Sequence, residues 1–411
     1  MADTEMFDGR LIFNPEAFGK YMEQIPRAKT NKFIQSGILT NDSSLGEYFN
    51  AQSGSFFQKI PMYGRGSGAT EANYDGETTL NAFGKIDSYQ YGCICYGRTF
   101  GVEEKDFSAD IVPGTDFTGK LRGYIIENRD DALAGRVYSM MNTLFGARTA
   151  GTQEAKFVAN HTTYVQGEIE ATTVNNAVQK ACKSNKKLFT AMGVHSEIST
   201  ELENTNLLQF VKQVDADGMV RDSTMAQLNG KNLVTDDDMP KIALDDSDGD
   251  PAYYVKCAST DTDALHIVAS GASTGEINLA SVVLVPGSPS ATTGDYVCPG
   301  SSLGLGDYFY ISYLFGTGAL RYKDVGAKVP FEPYRLPLLN GGTDQLIVRY
   351  REVMHPYGFS YEGTPSTNSP TDTELFTTAS WSLVNNAKTG ANRKTFDESL
   401  IPLARVISYV G

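Results

Sequence analysis

One uninterrupted helical stretch, 117–145, constrains the fold more than any other part of this 411-residue sequence. It reads FTGKLRGYIIENRDDALAGRVYSMMNTLF and contains no proline. Asp116 or Thr115 can cap its start, and Gly146 follows where a left-handed C-terminal residue is expected. At 1.5 Å per residue this helix is predicted to be roughly 44 Å long. Few single domains need so long a helix, so we expect a spine along which a flat molecule is built.

One side of the spine helix is predicted to face a core, because apolar residues recur at three- and four-residue spacing with charged residues between them. The apolar set is Phe117, Leu121, Tyr124, Ile125, Ala132, Val137, Met140, Met141 and Leu144, and the charged set is Lys120, Arg122, Glu127, Arg129, Asp130 and Arg136. Gly119, Gly123 and Gly135 each cost up to about 1 kcal/mol of helix propensity, so we expect a partner packed close to the axis there. An ordinary amphipathic core helix stays open as the alternative.

The composition favours a mixed fold that leans towards β structure. Apolar residues make up 41% and charged residues 20%, with 40 Gly, 21 Phe and 22 Tyr against one Trp, which indicates many turns and half-buried strands. A net charge of −14 argues against a chain-wide groove for nucleic acid. The start, MADTEMFDGR, is not a signal peptide, and no 18-residue apolar run predicts a membrane span.

The five cysteines are predicted to be reduced thiols. Their number is odd and their spacing matches no disulfide framework, which is typical of a cytosolic protein. Cys93 and Cys95 would lie on one face of a strand, and two half-buried small residues are expected there rather than a metal or redox pair.

The first hundred residues are predicted to extend away from a compact body. Residues 1–55 resemble an arm with short apolar clusters that needs a surface to lie on. Residues 56–107 form two strands around a glycine-rich tip, and so long a hairpin is expected to rest on another subunit. The run from Gly64 to Gly68 lacks the Lys-Ser/Thr ending and the helix of a phosphate-binding loop.

A compact α/β unit follows the spine helix. The pattern predicts a helix over Ala171 to Lys187, with Val174, Ala177, Val178 and Ala181 on one face and lysines late in the run, and then a strand over Leu188 to Val194. His195 opens the next helix, with Ser196 as the candidate cap. Asp215 to Gly218 is a predicted turn, and Gly230 to Pro240 is a strand that runs into an acidic turn.

The order strand, HSEISTELENTNLL, turn, GKNLVTDDDMP resembles the central module of the major capsid proteins of tailed double-stranded DNA bacteriophages, which have the HK-ninety-seven-like capsid fold. The residues that fill the pattern are His195, Ser196, Gly230, Lys231, Asp237, Asp238, Met239 and Pro240. YFYISYLFGTGALRY, DQLIVRYREVMHPYGFSYEG, ASWSLV and PLARVISYVG extend the resemblance in the same order. It therefore covers most of the chain.

The resemblance implies an α+β fold with a peripheral domain built on the spine helix and an axial α/β domain. The implied organisation is an N-terminal arm at 1–55, an extended β-hairpin loop at 56–107, a peripheral domain at 108–165 and 307–375 with the spine helix at 117–145, an axial domain at 166–240 and 376–411, and an inserted β subdomain at 241–306. The insertion is expected to expose three β segments on the shell exterior. Two alternative roles are open for it: contacts with accessory proteins or the host surface, or a local decoration without a partner.

The implied function is structural: self-assembly into hexamers and pentamers of an icosahedral shell that encloses double-stranded DNA without sequence-specific binding. Expected partners are further copies of the chain, the portal vertex, a separate scaffold protein where one is used, and accessory or decoration proteins, with no membrane. The expected location is the virion, assembled in the host cytoplasm. Because the sequence begins at Met1 without a scaffolding segment, no N-terminal maturation cleavage is expected. An encapsulin-like compartment without a genome is the alternative, and a β-rich extracellular binding or hydrolytic protein is the rival from another class.

No motif for enzyme chemistry supports a catalytic, cofactor or metal site, and the chain is not expected to be an enzyme. Asp245 to Asp250 resembles a calcium loop, but Leu244 and Val255 occupy ligand positions of the EF-hand pattern, so a polar turn is expected. The four histidines, His161, His195, His266 and His355, lack metal-ligand or nucleophile spacing. Lys59 and Lys85 lie where some relatives form a covalent cross-link, but no pattern fixes such a bond here.

Overall fold

The computed structural model describes residues 33–49, 56–64, 88–104, 117–170, 172–214, 220–303, 308–339, 343–388 and 393–409, with single positions 71, 73, 75, 77, 79, 84 and 86. The α-helices are α1 (Leu45–Tyr48), α2 (Phe117–Leu144), α3 (Gln153–His161), α4 (Thr173–Cys182), α5 (Ser196–Asn204) and α6 (Asp372–Leu375). The strands are β1 (Leu39–Asn41), β2 (Phe57–Tyr63), β3 (Ser88–Glu104), β4 (Thr162–Tyr164), β5 (Phe189–Val194), β6 (Gln209–Val214), β7 (Val220–Leu228), β8 (Lys231–Thr235), β9 (Lys241–Ala243), β10 (Tyr254–Cys257), β11 (Leu265–Val268), β12 (Glu276–Asn278), β13 (Tyr296–Pro299), β14 (Tyr308–Gly316), β15 (Leu320–Asp324), β16 (Phe331–Leu336), β17 (Thr343–Pro356), β18 (Phe359–Tyr361), β19 (Trp381–Leu383) and β20 (Leu403–Ser408). The predicted α+β class with a bias towards β structure is confirmed.

The described residues divide into two compact units. The first contains those of Met1–Gln35, Leu39–Thr143 and Leu320–Asp397, and the second contains those of Ser36–Ile38, Leu144–Ala319 and Glu398–Gly411. The predicted peripheral domain, 108–165 and 307–375, contains both the spine helix and strand β14. In the structure β14 instead pairs with strands of the second unit.

The main sheet of the first unit runs in the order β1, β15, β17, β3, β2, and β16 also pairs with β17. Strand β3 has two partners in succession: its residues 88–94 pair with β2, and its residues 95–104 pair with β17. The expected two-stranded excursion is therefore limited to 57–63 and 88–94, because the rest of β3 pairs with β17. Residues 88–94 also contact their own unit, since the Gly92 N–H donates to the Ser360 hydroxyl at 2.9 Å and the Tyr91 ring stacks on His355 at 4.7 Å. Most of the glycine-rich tip, including residues 65–68, lies outside the described residues, as do residues 1–32 of the predicted arm.

The spine helix is confirmed as α2, which ends at Leu144, one residue before the predicted end. Its core-facing side is confirmed for most of the predicted set: Leu121, Ile125, Val137, Met140, Met141 and Leu144 are buried. Tyr124 is 52% exposed, so the prediction is wrong for that residue. The candidate caps Asp116 and Thr115 lie outside the described residues. Gly146 does not take the predicted left-handed conformation, and the first glycine with positive φ after the helix is Gly151.

At two of the three helix glycines, the expected close partner is not found among the described residues. A Cβ atom added at Gly123 or Gly135 meets no atom within 4 Å. The expectation for Gly119 falls outside the described side chains. Gly135 is exposed, on the side of α2 that faces away from the core. The charged set also departs from the prediction, because Asp130 and Arg136 are buried rather than solvated.

The main sheet of the second unit runs in the order β4, β20, β14, β5, β8, β7, β6, with β9 paired to β14. Helix α4 covers it, and its predicted apolar face, Val174, Ala177, Val178 and Ala181, is buried in one cluster with residues of β5, β14 and β20. The helix ends at Cys182 instead of Lys187 because Lys183 takes a left-handed φ of 52° and its N–H donates to the Gln179 carbonyl. The later lysines thus follow the helix, and only Lys180 lies in its last turn.

The insertion forms a sheet of its own, in the order β10, β13, β11, β12. The three predicted β segments are confirmed at β10, β11 and β12, and β13 adds a strand that the sequence reading missed. Cys257 on β10 and Cys298 on β13 form a disulfide, so the prediction of reduced thiols is wrong for these two. Antiparallel pairing of Cys257 with Tyr296 and of Val255 with Cys298 brings the two Cα atoms to 6.1 Å, a separation that the chain spacing of 41 residues does not reveal.

Candidate functional site: assembly surfaces

Strand β2 is the outer strand of its sheet among the described residues and carries exposed apolar side chains. Its residues alternate between exposed and covered positions, and Pro61, which has no N–H to donate, suits an edge. Tyr63 at its end is 77% exposed, and Ile86 just before β3 is 72% exposed. An edge strand with apolar residues at its tip is a ready surface for another chain.

A second exposed apolar surface lies at the turn that joins β16 to β17. The two strands pair in antiparallel register from Phe331 with Val348 to Leu336 with Thr343. Beyond β16, Leu338 is fully exposed and Leu339 is 46% exposed, and Tyr334 on the strand is also exposed. Leu338 gains no burial from the fold and the other two side chains stay about half exposed, so all three would gain free energy from burial against a partner.

Beneath the spine helix, the first unit holds a buried charged centre built on Glu352 of β17. The Glu352 side chain is 1% exposed and accepts from Arg129 of α2 at 2.8 Å, while Arg136 of α2 lies 3.8 Å from its other oxygen. Asp324 receives a second ion pair from Arg129 at 2.8 Å, and Asp372 lies 3.6 Å from Arg136. Burial lowers the pKa of the Arg129 guanidinium, but Asp324 and Glu352 outweigh it and raise the pKa above its ordinary value.

Tyrosines enclose this charged centre. The Tyr322 hydroxyl donates to Glu352 at 3.0 Å and that of Tyr96 at 3.4 Å, while the guanidinium carbon of Arg129 lies 4.4 Å from the centre of the Tyr350 ring. Burial raises the pKa of Tyr96 well above its usual range, so the phenol stays neutral and keeps its proton to donate. The arrangement binds the spine helix to the sheet through charges and hydrogen bonds rather than apolar contact alone.

The His-Ser motif has a structural role. His195, not Ser196, is the N-cap of α5: its backbone is extended and its Nδ1 accepts from the Glu197 N–H at 3.2 Å. The strand–helix–strand order is confirmed, since β5 and β8 pair in parallel on either side of α5 along the chain. Met239 of the Met-Pro segment is buried and lies beside Gly193 of β5. The residues of the motif therefore contribute to the fold of the second unit through helix capping and core packing.

The other singled-out residues are placed apart from one another. His161 and His355 are buried, and burial lowers their pKa to about 4 and about 3. His266 lies in the insertion, 3.8 Å from Glu276. The Asp245 to Asp250 segment is the expected polar turn, because the Asp246 carboxylate accepts from two backbone N–H groups at 2.9 Å.

Cys93 and Cys95 are free thiols on β3. Both are fully buried, whereas the sequence predicts half-buried side chains. Among the described residues, one group could gather metal-ligand atoms, formed by Cys257, Asp261 and Cys298, and its two cysteines form the disulfide. Within the described part of the chain, every helix is too short or too polar to cross a membrane.

The sequence reading missed the charged centre, although a signal was present. Along β17, alternate residues Leu346, Val348, Tyr350 and Met354 are buried, and Glu352 occupies the same face. A carboxylate in an inward position of a buried strand needs a cationic partner. The basic residues of the spine helix were the natural candidates for that partner.

A mixed α+β chain with a long helix, an outlying edge strand and exposed apolar tips has the features expected of a shell subunit. No protein-family model matches the chain. It is 24% identical over 393 residues to the major capsid protein of Bacillus phage SPP1, a match that covers 94% of this chain and 96% of the relative. The predicted resemblance to phage major capsid proteins is confirmed by this nearly full-length match.

Solved phage heads are also similar in structure. One is the head structure of Helicobacter pylori bacteriophage KHP40, with a TM-score of 0.45 and 11% identity over 88% of this chain and 86% of that chain. Another is the capsid of Ralstonia phage GP4, with a TM-score of 0.46 and 7% identity over 91% of this chain and 87% of that chain.

Proposed function

We propose that this chain is a major capsid protein that forms the shell of a phage head. The observation that carries the proposal is the relation to a phage major capsid protein along nearly the whole of both chains. The exposed edge strand β2 and the exposed turn after β16 agree with it, because both need covering by other copies.

In finer detail, we propose that copies assemble into hexamers and pentamers of an icosahedral shell, with a portal at one vertex and double-stranded DNA inside. The net charge of −14 supports enclosure without tight binding, since an acidic subunit repels the DNA backbone. Scaffold and accessory proteins are further proposed partners. Assembly in the host cytoplasm and the absence of enzymatic activity belong to the same proposal.

We propose the two compact units as the peripheral and axial parts of the subunit. The first unit contains most of the spine helix and the sheet in which β17 is the central strand, and both features fit the peripheral part. The second contains the β5–α5–β8 module, which fits the axial part, and carries the insertion 241–306. The separate sheet of the insertion supports a role as an exterior subdomain.

Assembly of variants tests the proposal directly. Electron microscopy of the purified full chain should show closed shells or rings. Leu338→Asp should abolish or strongly reduce assembly and leave the subunit folded, because this side chain is fully exposed in the single chain. Val283→Asp is the matched control: Val283 is 53% exposed in the insertion, and the same charge there should leave assembly intact.

A full chain that is monomeric at all concentrations would remove the proposal. Normal assembly of Leu338→Asp would leave the shell standing and show that the exposed turn is not an interface. The encapsulin-like alternative predicts particles that enclose a cargo protein, so DNA recovered from nuclease-treated particles made in infected cells distinguishes the two.

A further inference from the structure

A cleft of about 240 Å³ opens in the second unit beside helix α3. Two arginines line it: Arg405 from strand β20 and Arg148 from the segment before α3. Its walls also include Thr162 and, from the loop after β12, Gly287. An added Cβ on Gly287 would lie 2.6 Å from the Thr162 methyl group, so only glycine fits this approach.

Arg405 is the unusual member of this group. It is 6% exposed, its Nη2 donates to the Thr162 hydroxyl at 3.2 Å, and its guanidinium lies over the Phe145 ring at 5.1 Å. Its Nε is buried and has no hydrogen-bond partner. The ionisable side chain that interacts electrostatically with Arg405 is Tyr313. Burial raises the pKa of the Tyr313 phenol, so this group stays neutral near pH 7 and supplies no negative charge. Among the described residues, Arg405 is thus a buried cation without a counter-charge, an unfavourable arrangement unless an anion completes it.

The rest of the cleft adds positive charge and donors. Arg148 brings a second guanidinium, with Glu154 as its acidic neighbour. Lys180 donates to the Thr162 carbonyl at 2.7 Å, behind the cleft wall. The Thr162 hydroxyl accepts from Arg405 and keeps its own proton to donate. Among the described residues that line the cleft, the charged side chains are the two arginines, so the lining favours a bound anion.

We propose that this cleft is a binding site for a phosphate-type oxyanion, held by Arg405 and Arg148. Guanidinium groups suit such an anion because their planar N–H pairs match its oxygen atoms. The oxyanion is either free phosphate or a phosphate of a nucleic-acid backbone. The site goes beyond the proposed shell function, and its occupancy does not depend on assembly.

Binding of inorganic phosphate to the full chain, measured by equilibrium dialysis at constant ionic strength, tests the site. One saturable site per chain is expected. Arg405→Met should weaken binding about tenfold or more, the value of a charge-assisted hydrogen bond. Ala159→Trp, an exposed position at the cleft wall, should block binding with both arginines retained and little risk to folding.

Arg349→Met is the matched control, because Arg349 is paired with Glu332 on the surface of the first unit, away from the cleft. This variant should bind phosphate as tightly as the parent chain does. Competition by a short DNA duplex assigns the site to backbone phosphate, and failure of the duplex to compete assigns it to the free ion. Absence of saturable binding, or equal binding by Ala159→Trp and the parent chain, overturns the proposal. A shell that assembles without binding phosphate leaves the proposed function standing and removes only this inference.

Discussion

Replacing Glu352 by Gln is expected to destabilise the first unit far more than removal of a surface carboxylate does. The substitution keeps the size of the side chain and removes its charge. Arg129 and Arg136 then lose their shared acceptor in a site where the Glu352 side chain is 1% exposed. Two hydroxyl donors, those of Tyr96 and Tyr322, lose a charged acceptor as well.

The magnitude follows from which partners remain. Breaking a buried ion pair by removing one member typically costs 3–5 kcal/mol, because the other charge stays buried. Here Arg129 retains Asp324 at 2.8 Å and Arg136 retains Asp372 at 3.6 Å. We therefore expect the lower end of that range, about 3 kcal/mol in the free energy of unfolding.

The single tryptophan supplies the assay. Trp381 is buried in the first unit and its indole N–H donates to the Leu375 carbonyl at 2.7 Å, so its fluorescence reports the unfolding of the unit that contains Glu352. Urea unfolding of the unassembled chain gives the free energy. Glu332→Gln is the matched control: its pair with Arg349 is exposed and is expected to contribute at most about 1 kcal/mol. If the two variants unfold within experimental error of each other, the buried charged centre does not stabilise the unit.

Three further predictions concern other parts of the chain. Gly135→Ala should stabilise the isolated subunit by up to about 1 kcal/mol in the same assay, because the added methyl group meets open space, and a loss of stability would contradict this. His161 and His355 have folded pKa values of about 4 and about 3, below the value of about 6.5 in the unfolded chain. Below pH about 6.5 the unfolded state therefore binds more protons than the folded state does. Stability should thus fall as the pH drops from about 6.5 towards 4 and 3, with a shallower slope in the double variant His161→Asn, His355→Gln; an unchanged slope would refute the assignment. In denaturant, three of the five cysteines should react with a thiol reagent before reduction and all five after it, since Cys257 and Cys298 are paired; five before reduction would refute the disulfide.

Local patterns predicted the elements of this fold well, because each rests on the spacing of neighbouring residues. The spine helix and the apolar face of α4 followed from periodicity, whereas the closing segment that contains β20 followed from the family resemblance. What could not be predicted depends on contacts between distant segments. The pairing of Cys257 with Cys298 depends on the antiparallel register of β10 and β13. The burial of Arg136 is of the same kind, since its partners on the sheet are more than 200 residues away.

The change of partner along β3 connects the exposed hairpin to the charged centre. Ile94 is the last β3 residue to pair with β2, and Cys95 is the first to pair with β17. Tyr96, the next residue, is fully buried and donates to Glu352, so the strand is fixed to the spine helix through that carboxylate just where it leaves the body sheet. Residues 88–94 of β3 also contact the body of the unit, since the Gly92 N–H donates to the Ser360 hydroxyl at 2.9 Å and the Tyr91 ring stacks on His355 at 4.7 Å. A force applied to the hairpin by a sister copy is therefore shared between these contacts and the Glu352 centre. It follows that Glu352→Gln should weaken assembled shells as well as single subunits, whereas Glu332→Gln, on an exposed strand, should weaken neither.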